Sequence, residues 1–393
     1  MESIFLVSFV WFTLAVLAAV VSFHVKISSA LVEICIGTVF AYCAGCFGFL
    51  DHLAINSDWL KFVASSGAVL LTFLAGTELE PKVLRRKISE VSVVGIIGFF
   101  APFLGCAAVA KFLLNWDSQA SLLCGVALST TSMAVVYAVM LETGLNKTDY
   151  GKGILGSCFI NDLGTVIALG LIFSPFTFKT VIFVSITALV MILLPSVSRW
   201  MTLVYGNRTA AIRTKWAVMI LFGLSALALW SGSEAVLPAY IMGIVLASFS
   251  AEDAFWLRRF RTLTVGFFTP IYFLRAGTFV SLPAILSAPK VFIFLFLGKV
   301  LSKIVGLFPV ISIYRKEKSE RCYYTLLMST GLTFGTISAL YGLSNKIITQ
   351  EQYSFLVAVV IASAVIPTMI AEYFFQPLHL FPKHTEAPTN KIG

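Results

Sequence analysis

The chain has 393 residues, of which 59% are hydrophobic and 12% charged, and it carries a formal net charge of +9 at pH 7. With a mean hydropathy of +0.93 it is far too apolar for a water-soluble globule, and it reads as one polytopic membrane unit. The same composition argues against three other classes. A nucleic-acid binder would gather its basic residues on a soluble face. A disulfide framework does not fit seven cysteines that sit in or at the ends of apolar runs, nor a structural metal centre four scattered histidines.

Apolar runs of spanning length fall near 4–23, 30–50, 60–77, 91–113, 119–141, 151–174, 176–198, 213–230, 234–250, 263–281, 290–313, 322–342 and 353–375, which predicts thirteen transmembrane helices and an all-α fold. Met1-Glu2 lacks the positive region that opens a secretory signal, so the first run is expected to remain as a helix. Transmembrane structure is expected over 1–375, with a short tail at 376–393.

Lysine and arginine alternate between loops. Lys26; Lys82, Arg85, Arg86 and Lys87; Lys147 and Lys152; Arg199 to Lys215; Arg258, Arg259 and Arg261; Arg315 to Arg321; and the tail form one set, whereas the other set holds only Lys61, Lys111, Lys179, Lys290 and Lys346. The positive-inside rule then puts the N-terminus outside and the C-terminus in the cytoplasm, and it accounts for the net charge through the bilayer alone. Arg275, Lys299 and Lys303 are left within spans. Arg275 is expected to be structural, with an acidic partner such as Glu33 or Glu78.

The two halves of the chain echo one another. Phe73–Thr77 in the third span recurs as Phe273–Thr278 in the tenth, Ser129-Thr130 in the fifth as Ser329-Thr330 in the twelfth, and Gly37 in the second as Gly243 in the ninth, at offsets of 201, 200 and 206. Seven spans separate equivalents, and an odd shift reverses direction through the membrane. The expectation is an inverted-topology repeat, with one copy over about 1–174, a linking helix at 176–198 and the second copy over about 213–375. The fifth and twelfth spans each hold a mid-span polar cluster, Ser129-Thr130-Thr131-Ser132 and Ser329-Thr330-Gly331-Leu332-Thr333. Hydroxyls and glycine can re-satisfy or release backbone groups, so both are expected to be discontinuous helices that cross at the midplane.

The run Gly151–Phe173 places Asn161 and Asp162 near its middle. A carboxylate at that depth must face a protein cavity, where it can take up a proton or a cation. Lys299 and Lys303, four apart and on one face of the eleventh span, are placed to balance that charge. Glu33, Glu78 and Glu234 are weaker candidates, and Glu78 with Glu80 suits an interfacial ion pair better than a ligand.

The Asn161-Asp162 pair, the Ser129–Ser132 break, FLAGTELEP from Phe73 to Pro81, FFTPIYF from Phe267 to Phe273 and KIVG from Lys303 together resemble the second family of monovalent cation:proton antiporters, bacterial sodium or potassium/proton exchangers, over roughly 30 to 375. The resemblance implies the sodium/proton antiporter fold, a homodimer in the cell (inner) membrane, and elevator-like alternating access. It implies a monovalent cation at Asp162, sodium first and lithium or potassium otherwise, with Asn161 steadying the site, Thr131 and Ser132 as added ligands and Lys303 as the core lysine. Lys299, Glu78 and Thr330 are possible accessories. No cofactor, no enzymatic activity and no nucleic-acid partner are expected, nor, with 18 residues beyond the last span, the nucleotide regulation of potassium-efflux members. Electrogenic members usually have Asp-Asp where this chain has Asn161-Asp162, so one-for-one exchange is expected if Lys303 keeps its proton. The competing functions are a sodium-coupled organic-anion symporter on a related fold, which needs a roomier polar cavity; a channel; and an intramembrane protease, which needs a second deep aspartate.

Overall fold

The computed structural model describes residues 2–381 apart from 26–27, 49–53, 78–84, 174–176, 206–211, 234, 253, 280–282 and 284–287. Lys26, Glu78, Glu80, Lys82, Glu234 and the tail beyond 381 lie outside the described residues.

In the first half the helices are α1 (Glu2–Val25), α2 (Ser29–Cys46), α3 (Asp58–Thr77), α4 (Ile88–Ala108, continued by a π-helical turn over Val109–Leu113), α5 (Ser118–Ser129), α6 (Met133–Thr143) and α7 (Asp149–Phe173). A linking helix, α8 (Phe178–Tyr205), follows. The second half holds α9 (Ile212–Trp230), α10 (Val236–Glu252), α11 (Ala254–Leu263), α12 (Thr269–Thr278), α13 (Pro289–Tyr314), α14 (Lys318–Leu327), α15 (Thr333–Ser344) and α16 (Gln350–Phe374). Helices that keep every backbone bond within the segment are what hydrocarbon permits, and most are apolar all round.

Ten helices among the described residues are long and apolar enough to cross a membrane, with α5 and α6 counted together. The count of thirteen included three runs that meet shorter or interrupted helices. The run 234–250 holds the short apolar α10. In 263–281, α11 and α12 are joined by a π-helical stretch over Thr264–Phe268 just before Pro270, whose missing N–H loosens the helical ladder. In 322–342, α14 and α15 are separated by a break.

The repeat is visible as symmetric packing. α2 lies on α12 as α3 lies on α10, and α4 meets its own counterpart α13. Glycine makes the first two contacts possible. A side chain on Gly37 would strike the carbonyl of Leu274, and one on Gly277 that of Ile34; in the matching pair, Gly76 faces the carbonyl of Tyr240 and Gly243 that of Phe73. The four are the glycines that the offsets had paired, and small residues let membrane helices approach to backbone contact. α8 packs on α9 and α10 and turns Leu189, Ile192 and Leu203 outward. The four helices α2, α3, α10 and α12 make one panel, and α4–α7 with α13–α16 make the bundle that holds the broken helices.

Candidate ion-binding site

Both predicted breaks are present and fall where hydroxyls replace the helical ladder. α5 stops at Ser129, Thr130 is extended at φ −62° and ψ 151°, and α6 restarts after Ser132 at φ −97° and ψ 102°. α14 stops at Leu327 and α15 restarts at Thr333. The hydroxyls behave alike in the two copies: Thr130 Oγ1 donates to Ala127 O at 3.2 Å and Thr330 Oγ1 to Leu327 O at 2.9 Å. The two breaks are also stitched to each other. Thr131 Oγ1 donates to Met328 O at 2.9 Å, and the Ser132 N–H donates to Thr330 Oγ1 at 3.1 Å. Ser132 Oγ then accepts from Val135 N at 3.4 Å and caps α6.

α7 runs beside this crossing and brings Asn161 and Asp162 to it. Asn161 is fully buried, and neither its Oδ1 nor its Nδ2 has a hydrogen-bond partner among the described residues; the same holds for Oδ1 of Asp162, which is 5% exposed. Buried polar atoms are ordinarily paired, so three orphans on adjacent residues mark a place built for something else. Asp162 opens into a narrow crevice of about 10 Å³ lined by Thr72 of α3, Met133 of α6, Phe159 of α7, Val236, Leu237 and Tyr240 of α10, and Phe334 of α15. That is about the room one water needs. The lining comes from both the panel and the bundle, so the carboxylate sits on the seam between them.

Lys299 and Lys303 have no exposed surface. Lys303 Nζ donates to Thr131 Oγ1 at 2.9 Å, which makes a continuous chain from α13 through the first break to the Met328 carbonyl of the second. Lys303 and Asp162 also lie close enough to feel one another's charge. Lys299 sits one turn away against Gly331.

A profile of the family described as "Sodium/hydrogen exchanger, transmembrane" matches residues 10–376. This chain belongs to the sodium/hydrogen exchanger family. It is 24% identical over 332 residues to the "Probable Na(+)/H(+) antiporter 3" of Methanocaldococcus jannaschii, covering 81% of this chain and 84% of that one. It is 24% identical to the "Na(+)/H(+) antiporter" of Enterococcus hirae, over 80% and 84% of the two chains. Its fold is that of the M. jannaschii sodium proton antiporter MjNhaP1, with a TM-score of 0.69 at 16% identity over 99% of both chains.

Within this exchanger the residues foreseen as ligands divide. Asp162 and Asn161 both carry buried atoms with no partner among the described residues. Thr131 and Ser132 lie at the crossing, but the Thr131 hydroxyl holds Lys303 and the Ser132 hydroxyl caps α6. Thr330 binds the first break rather than facing Asp162. Of the acidic partners expected for Arg275, Glu78 lies outside the described residues; the Arg275 Nε donates to Ile55 O at 3.0 Å and its guanidinium lies 4.8 Å from the Phe279 ring centre. Thr72 and Tyr240 were missed. Thr72 is one of four hydroxyl residues on α3, a faint signal; Tyr240 carried no local signal and stacks on Phe159 at 4.6 Å. Two more carboxylates missed by sequence reasoning serve structure. Glu142 Oε1 accepts from Ser29 N at 2.8 Å, and Glu372 Oε2 accepts from Ser28 N at 3.0 Å, so both neutralise the exposed N–H groups that open α2.

Proposed function

We propose that this exchanger trades one monovalent cation species, sodium first and lithium or potassium otherwise, for protons by alternating access, with Asp162 as the site the two ions share. The observation that carries the reading is the placement of Asp162: a buried carboxylate with an unpaired oxygen, beside the crossing of two broken helices and on the seam between panel and bundle. Burying a bare anion is costly, so the carboxylate is held either as an acid or against a cation, and one pair of oxygens cannot serve both at once. Asn161 supplies a carbonyl oxygen that a cation can use and an acid does not need. Lys303, held by Thr131, keeps a positive charge near the carboxylate. Movement of the bundle against the panel carries the site from one side to the other, as inverted repeats permit.

This reading includes a homodimer in the cell membrane, with the N-terminus outside and the C-terminus in the cytoplasm, and transport without covalent chemistry. A crevice of about 10 Å³ favours a bare cation over the organic anion of the symporter alternative. The test is sodium-driven proton movement in proteoliposomes. Asp162→Asn is expected to abolish it, by at least about a hundredfold, while the protein still inserts; near-normal exchange by that variant ends the proposal.

A further inference from the structure

Sulfur gathers beside the carboxylate. Cys158 of α7 and Met328, which closes α14 at the second break, are both fully buried, and the Cys158 thiol donates to the Met328 thioether at 3.7 Å. Cys158 lies four residues before Asp162 and therefore shares its face of α7, one turn away. Met328 also comes up against Asn161: a methyl group built on Gly98 of α4 would lie 3.3 Å from Met328 Cε and 3.4 Å from Asn161 Nδ2. Two soft donors in contact thus stand next to both ends of the Asn161 amide and Oδ1 of Asp162, none of which has a partner among the described residues. Packing alone accounts for a buried cysteine against a buried methionine. It does not account for uncommitted polar atoms beside them, which buried groups ordinarily avoid. Among the described residues no three His, Cys, Asp or Glu side chains gather as a divalent ion would require. Thiolate and thioether are instead the ligands that favour a soft monovalent ion, which is satisfied by few of them. Of the charged groups that reach the thiol, Asp162 favours a cation there and Lys303 opposes it.

We propose that Cys158 and Met328 form a binding site for a soft monovalent cation of the Cu+ and Ag+ class, completed by an oxygen of Asn161 or Asp162, and that an ion held there blocks exchange. Binding is a proton displacement without oxidation or reduction. The Cys158 S–H bond breaks, a sulfur–metal bond forms with the electron pair left behind, Met328 adds a thioether lone pair, and the proton leaves to water through the crevice at Asp162. One positive charge enters and one leaves. A cation fixed one turn from Asp162 repels sodium and occupies the oxygens sodium would use, so the block follows from occupancy. The block rests on Asp162 being the shared site; the sulfur ligation does not.

Silver nitrate is the probe, in chloride-free nitrate buffers because silver chloride is insoluble. The protein is the full chain with its four more accessible cysteines, Cys35, Cys43, Cys46 and Cys322, replaced by alanine. Silver is expected to stop sodium-driven proton movement in proteoliposomes, and X-ray absorption of the silver-loaded protein is expected to show two sulfur neighbours. Met328→Leu, close in volume, should raise the half-inhibiting silver concentration about tenfold and leave one sulfur neighbour; Cys158→Ala should raise it about a hundredfold and leave none. A thermal melt of each variant confirms that it is folded. Exchange that silver leaves untouched, or a block and sulfur neighbours that survive Cys158→Ala and vanish instead with Cys106→Ala or Cys124→Ala, overturns the proposal. Asp162→Asn separates this site from the carboxylate: silver should still show two sulfur neighbours there, whereas sodium/proton exchange by that variant would overturn the shared site and leave the sulfur site standing.

Discussion

In the first half of the chain α7 carries Asn161 and Asp162, and α4 presents Gly98 to the Asn161 amide; 201 positions later, the spacing that relates Gly76 to Gly277, the second half has Ser363 on α16 in place of Asp162, and Lys299 and Lys303 on α13 in place of Gly98 and Pro102. The backbone plan is duplicated and the chemistry is divided. Both copies need a break, so both keep threonine and serine where the helix stops, and those hydroxyls make equivalent bonds. Only one copy needs the acid. An inverted repeat supplies two mirror-related ways of packing bundle on panel, and a single site between the copies then faces each side in turn. With the acid in one half and the bases in the other, opposite charges meet at the crossing rather than within either copy.

The comparison is broken most directly by moving the carboxylate. Asp162→Ser combined with Ser363→Asp puts the acid in the other copy, against Lys299 and away from the crevice; exchange is expected to fall by at least about a hundredfold, and retained sodium/proton exchange in proteoliposomes would mean that the halves are interchangeable. Next comes the bond between copies. Thr131→Ala leaves Lys303 buried without its acceptor, a cost of about 3 kcal/mol, and should lower the transport rate roughly tenfold or more, with Thr131→Ser recovering most of it. Gly37→Ala and Gly243→Ala sharpen the symmetry itself. Each drives a methyl group into a backbone carbonyl, so each should destabilise by about 1–3 kcal/mol, and equivalent positions should show similar drops in melting temperature. The smallest effect is expected at the rim, where Arg315 donates to Glu90 Oε1 from Nη2 at 2.6 Å and Nε at 3.0 Å. Arg315→Gln should cost about 1 kcal/mol by thermal melt: Glu90 is buried, but Lys87 stays 4.0 Å from its Oε2 and a glutamine amide can still donate to it.

Much of this was legible in the amino-acid sequence because hydrocarbon leaves few options. A polar cluster in the middle of an apolar run has to be a break or a site, and Ser129–Ser132, Ser329–Thr333 and Asn161-Asp162 all announced themselves that way. The near-constant offsets carried the repeat, since packing symmetry requires glycine at matching heights. What stayed hidden depends on contacts across helices. Thr72 and Tyr240 join the Asp162 crevice from the panel, and nothing local distinguishes a tyrosine that lines a crevice from one that fills a core. Hydroxyls read as ion ligands also tie the two breaks together, because a threonine beside a break is equally suited to a carbonyl, a lysine or a cation. The π-helical stretch before Pro270 shortened a span that length and hydropathy had drawn whole.

The central claim is that proton and cation compete for one carboxylate. Sodium binding to the purified protein, measured by calorimetry across a pH series, tests this without requiring transport. The account predicts that on the acid limb the apparent Kd rises about tenfold or more for each unit that the pH falls, and that Asp162→Asn binds no sodium at any pH. A Kd that stays constant across the series, or sodium binding that survives Asp162→Asn, would contradict it.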